Sequence, residues 1–431
     1  MTSLLVVIAI VLSIVLGYRT KINTGFFAMV FAYLIGCFVL DMKANQVIAL
    51  WPIGIFYVIF AVSVFYNFAL VNGTLENVAM HLMYSCRKAP HLLPYAIFLS
   101  AGIVAAMGAG FFTVMAFFAP ITLLICRKTG LNMLVGAISV NAGCLVGANF
   151  VTSGSGVIFK GLIEATNMHD KAFLYTNTIF AATVVCSILF IFVLSTFYDK
   201  NKLSVENFDV QKPEKFDQNQ KTTLWLMIIM LLVVLAPPIL KSAMPDNKMI
   251  TFINSKMDIG LVAVLFSVIA FMLKLGDEKK IISNVPWSLL IMICGVGMLI
   301  GVAIKAGTIK ILASWIGGSI PPLFVPVVVA AVAALMSSFS STLGVVSPAL
   351  FPIVPTIAQA TGINPAVLFA CVIIGAQSSA ISPFSSGGSL VLGSCVTDEE
   401  RSKMFSGLLL RAVPFSVGFA LMFCAIFALL M

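Results

Sequence analysis

Charge is what this chain has least of. Only 10% of its 431 residues are charged against 61% hydrophobic, too little polar surface to cover a soluble globule of that length, so the chain reads as a polytopic membrane protein. Histidine numbers 3, and His81, His91 and His169 all fall near segment ends, which leaves no cluster for a transition-metal site. The 9 Cys are scattered singly through apolar runs, without metal-ligand spacing or a disulfide framework. A membrane-embedded enzyme would need grouped Asp, His or Cys at membrane depth, and none is present. Residues 3–17 lack a preceding basic region and a small-residue cleavage site, so they read as a first spanning helix and not a removed signal peptide. The net charge of +9 does not indicate nucleic acid, because the basic residues sit in short loops between apolar segments, where they set topology.

What is present is repetition at a constant shift of 232 residues: Pro94 falls on Pro326, Pro120 on Pro352, and Thr129-Gly130-Leu131-Asn132 on Thr361-Gly362-Ile363-Asn364. Ser153-Gly154-Ser155-Gly156 falls on Ser385-Ser386-Gly387-Gly388, and Gly161 on Gly393. Repeats whose matching membrane segments are interrupted by Gly and Pro point to a secondary transporter and its binding site.

The expected fold is an all-α polytopic membrane protein of two inverted-topology repeats, each with five spanning helices, one of them discontinuous, and one re-entrant helical hairpin. The first repeat covers 1–198, with scaffold helices over 2–71, a hairpin over 91–127 broken at Gly108-Ala109-Gly110, a broken helix over 131–160 and a helix over 171–198. The second covers 222–431, with scaffold helices over 222–304, a hairpin over 320–360, a broken helix over 363–395 and a helix over 404–430. An odd number of crossings per repeat forces the inversion. The polar stretch 199–221 links them. On this layout one side carries 16 of the 25 Lys and Arg, so that side, with the linker, is expected to be cytoplasmic, and both termini outside. A prokaryotic inner membrane is the expected location.

Within lipid, non-helical backbone survives only where protein or a water-filled cavity satisfies it. Four such breaks are readable: the hairpin tips Gly108 to Thr113 and Ser337 to Thr342, and the interruptions 149–156 and 382–389. A broken helix offers free N–H groups and a positive dipole end on one side of the gap, and free carbonyls on the other. The first kind of end suits carboxylates and the second suits cations, so a small organic anion and Na⁺ can be held without buried Arg or Lys. The candidate substrate residues are Thr113, Ser153, Ser340, Ser341, Thr342 and Ser385. The candidate Na⁺ residues are Gly108, Ala109, Gly110, Asn149, Gly154, Ser338 and Gly387. Small residues can also serve close helix packing. The duplicated Thr-Gly-x-Asn reads as a turn and helix start, not a ligand.

The tip Ser340-Ser341-Thr342 followed by Pro348, and the Gly/Ser/Pro interruption one segment later in each half, resemble the divalent anion/sodium symporters of the ion transporter superfamily. The similarity is closest to the dicarboxylate and malonate carrier branch and extends over nearly the whole chain. Two departures stand out: Ser341 replaces the signature Asn, and the first tip, Gly108-Ala109-Gly110-Phe111-Phe112-Thr113, keeps hardly any of the signature. The resemblance implies an elevator-type homodimer in which hairpins and broken helices move together, with symport of a di- or tricarboxylate and Na⁺. Proton coupling or anion exchange on the same fold is the nearer alternative, and an ion channel the more distant one.

Outside the breaks, Lys160 and Glu164 lie one turn apart and can pair. Glu76 and His81 belong to an interfacial helix, with a counterpart starting at Gly307-Thr308 that carries Lys310 and Trp315.

Overall fold

The computed structural model describes residues 2–85, 92–198, 213–244, 246–308, 311 and 320–430. The expectations for His91, Lys310, Trp315 and the linker up to residue 212 lie outside the described residues. Among those described the fold is all-helical, with no strand. In chain order the helices begin with α1 (Thr2–Thr20), α2 (Thr24–Phe38), α3 (Ala44–Ile48), α4 (Ile53–Val71), α5 (Thr74–Ser85), α6 (Leu93–Val104) and α7 (Phe111–Thr129). They continue as α8 (Met133–Ala148), α9 (Gly154–Glu164), α10 (Ala172–Tyr198), α11 (Gln218–Ala243), α12 (Lys248–Lys256), α13 (Ile259–Met272), α14 (Glu278–Ser283) and α15 (Trp287–Lys305). The last are α16 (Val325–Phe339), α17 (Ser347–Leu350), α18 (Val354–Thr361), α19 (Pro365–Ser378), α20 (Ser386–Gly393), α21 (Asp398–Gly407) and α22 (Val413–Leu430).

Eight described helices are long and apolar enough to cross a membrane, or nine if the bent pair α12 and α13 forms one span. The chain is therefore an integral membrane protein. Large apolar side chains such as Trp225, Leu232, Phe192 and Leu410 lie on its surface, as a lipid-facing exterior requires. The count does not map one to one on the ten crossings read from hydropathy: two of the eight, Phe111–Thr129 and Thr342–Thr361, lie in the expected hairpins, whereas α2, α8 and α19 fall among the shorter apolar helices. α8 has 16 residues and α19 has 14, and at ~1.5 Å per residue neither alone covers a ~30 Å hydrocarbon layer.

The sequence duplication is repeated in local geometry at the same shift. Gly130 and Gly362 both end a helix in the left-handed conformation, at φ 77° and φ 74°, which only glycine adopts without strain. Asn132 and Asn364 then cap α8 and α19, accepting from Leu134 N at 2.9 Å and Ala366 N at 3.0 Å. The turn reading of Thr-Gly-x-Asn is thus what both copies show. At Gly143 a Cβ would overlap the Phe98 carbonyl, and at Gly375 it would overlap that of Ala330. These glycines let α6 meet α8, and α16 meet α19, backbone against backbone.

The contacts divide the chain into two compact units that interleave in sequence. One comprises 1–56, 158–186 and 287–431. Its core joins Val6, Ala28, Ala32, Ile35, Val296, Leu299 and Val302, with α2 and α15 crossing where Gly25 faces the backbone of Ile291 and Met292 and Gly295 faces that of Gly25. Phe351 packs at 4.9 Å from Phe369 and 5.8 Å from Phe159. The other unit comprises 57–157 and 187–286. There α4 stacks Phe65 and Phe68 on Phe266 and Phe271 of α13. Asn67 donates to the Ile281 carbonyl at 2.9 Å, and Asn72 donates to Thr223 at 2.8 Å. His81, on α5, stacks on Phe216 at 4.7 Å.

Candidate substrate and ion half-sites

Each unit contains one of the tips expected from sequence and one helix break, so the candidate residues fall into two half-sites. In the 57–157 unit the tip follows α6 through a widened π turn, Ala105–Ala109, and Gly108 leaves helical conformation at φ 92°. Gly110 follows at φ 71°, ψ 151° and starts α7. Two positive-φ positions within three residues explain why this tip is built from glycine. Thr113 is half-buried in the first turn of α7, where unpaired amides and the helix dipole point out of the helix end.

The break beside this tip runs from α8 to α9. Asn149, which closes α8, and Ser153 are fully buried. Ser153 Oγ donates to the Ala105 carbonyl at 2.6 Å, so the hydroxyl proposed from sequence as a substrate donor is committed to tying the break to the tip. At Gly156 a Cβ would overlap the carbonyls of Phe150 and Asn149, which fold back over the start of α9. Gly154 faces open space. The structure therefore gathers Gly108, Gly110, Asn149 and Ser153, with the backbone of Ala109, at one place. Thr113 lies a turn further along α7.

In the second unit the tip follows α16 through extended residues Ser340 and Ser341 into a π turn, Thr342–Val346. The π turn lies after this tip and before the other, so the two hairpins are not copies at this point. Its hydroxyls are mostly engaged. Ser338 donates to Ala334 O at 2.9 Å, Ser340 to Met336 O at 2.6 Å, and Ser337 pairs with Thr342 at 2.8 Å. Ser341 differs: its Oγ accepts from Gly344 N at 3.0 Å, which leaves its own hydrogen available for a ligand.

The neighbouring break joins α19 to α20. Ser379, buried, donates to Ala334 O at 3.1 Å and so ties break to tip. Ser385 caps α20, accepting from Gly388 N at 3.4 Å while donating toward the carbonyls of Ser382 and Ala380. Gly388 admits the Ser382 and Ile381 carbonyls as Gly156 admits those of Phe150 and Asn149. Gly387 is buried, whereas Ser386, Ser389 and Phe384, the last 53% exposed, open outward. Ser338, Ser340, Ser341, Thr342, Ser385 and Gly387 thus share this half-site.

Sequence reading missed three residues here. Ser379 gave no signal beyond its type. Met292, on α15, lies 2.7 Å from where a Cβ on Gly344 would be. Tyr66, on α4, lies over Gly108, and its one visible trace is a hydroxyl-bearing ring inside an apolar span. Lys160 and Glu164 pair at 2.6 Å as expected. Among the described residues no three His, Cys, Asp or Glu side chains come together.

A family model described as the dicarboxylate carrier protein MatC N-terminus matches residues 1–148 and 247–380. The chain belongs to this dicarboxylate carrier family. It is accordingly a carrier and not an enzyme, and the resemblance to dicarboxylate and malonate carriers holds at family level. The two matched stretches end at 148 and 380, separated by the same shift of 232 that relates the repeats. No protein of curated function matches the family member by sequence. Its fold is shared with MtrF of Neisseria gonorrhoeae, described as illuminating a class of antimetabolite efflux pumps. That likeness has 13% identity and TM-score 0.58, and covers 91% of this chain and 84% of MtrF. The YdaH transporter of Alcanivorax borkumensis, described as having an unusual topology, is similar at 14% identity and TM-score 0.55, over 91% of this chain and 88% of YdaH.

Proposed function

We propose that this carrier moves a small dicarboxylate together with Na⁺ by an elevator motion, as a homodimer in a prokaryotic inner membrane. The observation that carries the reading is the duplicated pairing of a hairpin tip with a helix break, each tied by one buried serine. Such a pair presents amide-rich helix starts to an anion and carbonyl-rich helix ends to a cation, with no fixed charge to hold the substrate after its gradient is gone. Of the candidate carboxylate residues, Ser341, Thr342 and Thr113 are assigned to the ligand, and Ser153, Ser340 and Ser385, whose hydrogens go to backbone carbonyls, to holding the shape of the site. Gly108, Ala109, Gly110, Asn149, Gly154, Ser338 and Gly387 are assigned to Na⁺. The two halves are inverted in the membrane, with 199–221 cytoplasmic and both termini outside.

The test is uptake of labelled succinate and malonate into proteoliposomes under an inward Na⁺ gradient, against K⁺ and choline gradients of equal size. Uptake only with Na⁺ is the expected result. Equal uptake in all three salts, or uptake that follows a pH gradient or internal dicarboxylate instead, overturns Na⁺ symport in favour of proton coupling or exchange. Single reactive cysteines at Asn219 and Leu430 should label from opposite sides; labelling from one side overturns the inversion.

A further inference from the structure

α20 is the shorter of the two half-helices that follow a break, with 8 residues against 11 in α9. A helix of two turns has little stability of its own, so the place of its start is decided by what holds its ends. Both ends meet the same neighbour. At the start, the ring of Phe384 in the break packs edge to face on Phe405 of α21, with centroids 5.8 Å apart. At the far end, Arg401 of α21 donates from Nε to the Leu392 carbonyl at 3.3 Å. Its Nη1 donates to Asp398 at 3.0 Å, and the guanidinium so held sits beside the negative end of the α20 dipole. Arg401 and Phe405 are one turn apart and therefore lie on one face of α21. At the shift of 232, Phe384 falls on Thr152, Leu392 on Lys160 and Arg401 on His169. Lys160 pairs with Glu164, and His169 lies 3.2 Å from Asp170, so this pair of contacts is not part of the duplicated plan.

We propose that α21 is a clamp on the second half-site, with Arg401 and Phe405 as its positioning residues. By holding both ends of α20 they fix where its amide-rich start stands relative to Ser341 and Thr342 at the tip. The rest of the break is held separately, by the bond from Ser379 to the Ala334 carbonyl. Loss of the clamp shifts one wall of the half-site without opening the core, since the Arg401 side chain and Phe384 are both half exposed. The inference rests on the proposed carboxylate binding at this half-site and adds to it the element that places the helix start.

The experiment uses the full-length carrier and two readouts. One is hydrogen–deuterium exchange of the 386–393 amides in the purified protein, which needs no substrate. The other is the KM and maximal rate of labelled succinate or malonate uptake into proteoliposomes. Arg401→Gln and Phe405→Leu should each speed exchange over 386–393 about three- to tenfold, the scale of one lost contact, and leave the other helices unchanged. Each should raise KM by about the same factor and change the maximal rate less than about twofold. Arg401→Lys keeps the charge at the helix end and should recover part of both effects. Phe384→Leu combined with Phe405→Leu should be no worse than either alone, because both break one ring contact. Unchanged exchange over 386–393 overturns the clamp, whatever happens to uptake. Faster exchange with an unchanged KM overturns the positioning role, as does faster exchange spread over the whole chain. A wild type that takes up neither succinate nor malonate overturns the dicarboxylate reading and the positioning role with it, and the exchange arm alone then decides whether α21 holds α20.

Discussion

The two half-sites are built on one plan and finished differently. In both, a serine in the break bonds a carbonyl at the base of the tip: Ser153 to Ala105, and Ser379 to Ala334. In both, a glycine early in the second half-helix admits the carbonyls of the break. Yet the first is closed, with Asn149, Thr152 and Ser153 all buried and a tyrosine across the tip, while the second is open and rich in hydroxyls. Duplication thus preserved the backbone device, which depends on glycine and helix ends, and left the side chains free to specialise.

The sharpest way to break this comparison is at the tip glycines. Gly108→Ala should cost about 3 kcal/mol, since it combines a positive φ with overlap on a rigid ring. Gly344→Ala meets only the movable Met292 and should cost about 1 kcal/mol. Thermal unfolding of the detergent-purified carrier checks both, and equal losses would mean that Tyr66 moves aside as easily as Met292. The serine ties come next. Ser153→Ala leaves the Ala105 carbonyl without its partner in a buried place and should lose about 1–3 kcal/mol. Ser340→Ala, which removes only a bond within its own helix at a half-buried tip, should lose about 0.5–1 kcal/mol in the same melts.

Ligand contacts sharpen the comparison from the other side. Ser341→Ala and Thr342→Ala should each raise the dicarboxylate KM about tenfold, equivalent to roughly 1.4 kcal/mol, with the fold intact. Thr356→Ala, in α18 away from the tip, is the control. If the control falls as far as the site variants, the hydroxyls of the second half-site serve packing. The smallest effect on stability is expected at Gly154, where an added Cβ meets open space. Gly154→Ala should leave the melting temperature within the equivalent of about 0.5 kcal/mol. A rise in the half-saturating Na⁺ concentration for this variant would then report close approach of the ion to the backbone. An unchanged value would remove Gly154 from the ion site.

Much of the local plan was legible. Thr129-Gly130-Leu131-Asn132 and its copy read as a helix stop and start because a left-handed glycine and an asparagine cap act within a few residues, and both do so here. The tips and breaks were visible as Gly, Ser and Pro where lipid demands unbroken helix. The number of crossings was less legible, since hydropathy counts an interrupted segment as one span although its helices are individually short. Hydroxyl roles were not legible at all. Ser153 and Ser340 look like carboxylate donors in sequence, yet each hydrogen is turned to a backbone carbonyl. Tyr66 lies 42 positions before Gly108 and carried no motif.

By itself, then, the sequence determined that this chain lives in a membrane, that it is helical, that it is duplicated, and where its helices must break. These follow from hydropathy, backbone sterics and capping, which act over one or two turns. Only the tertiary structure decided which hydroxyls are free to meet a ligand and which tip is filled by its own protein. Those outcomes depend on side chains brought in from distant helices, and a hydroxyl's single hydrogen goes to whichever acceptor the packed fold places nearest.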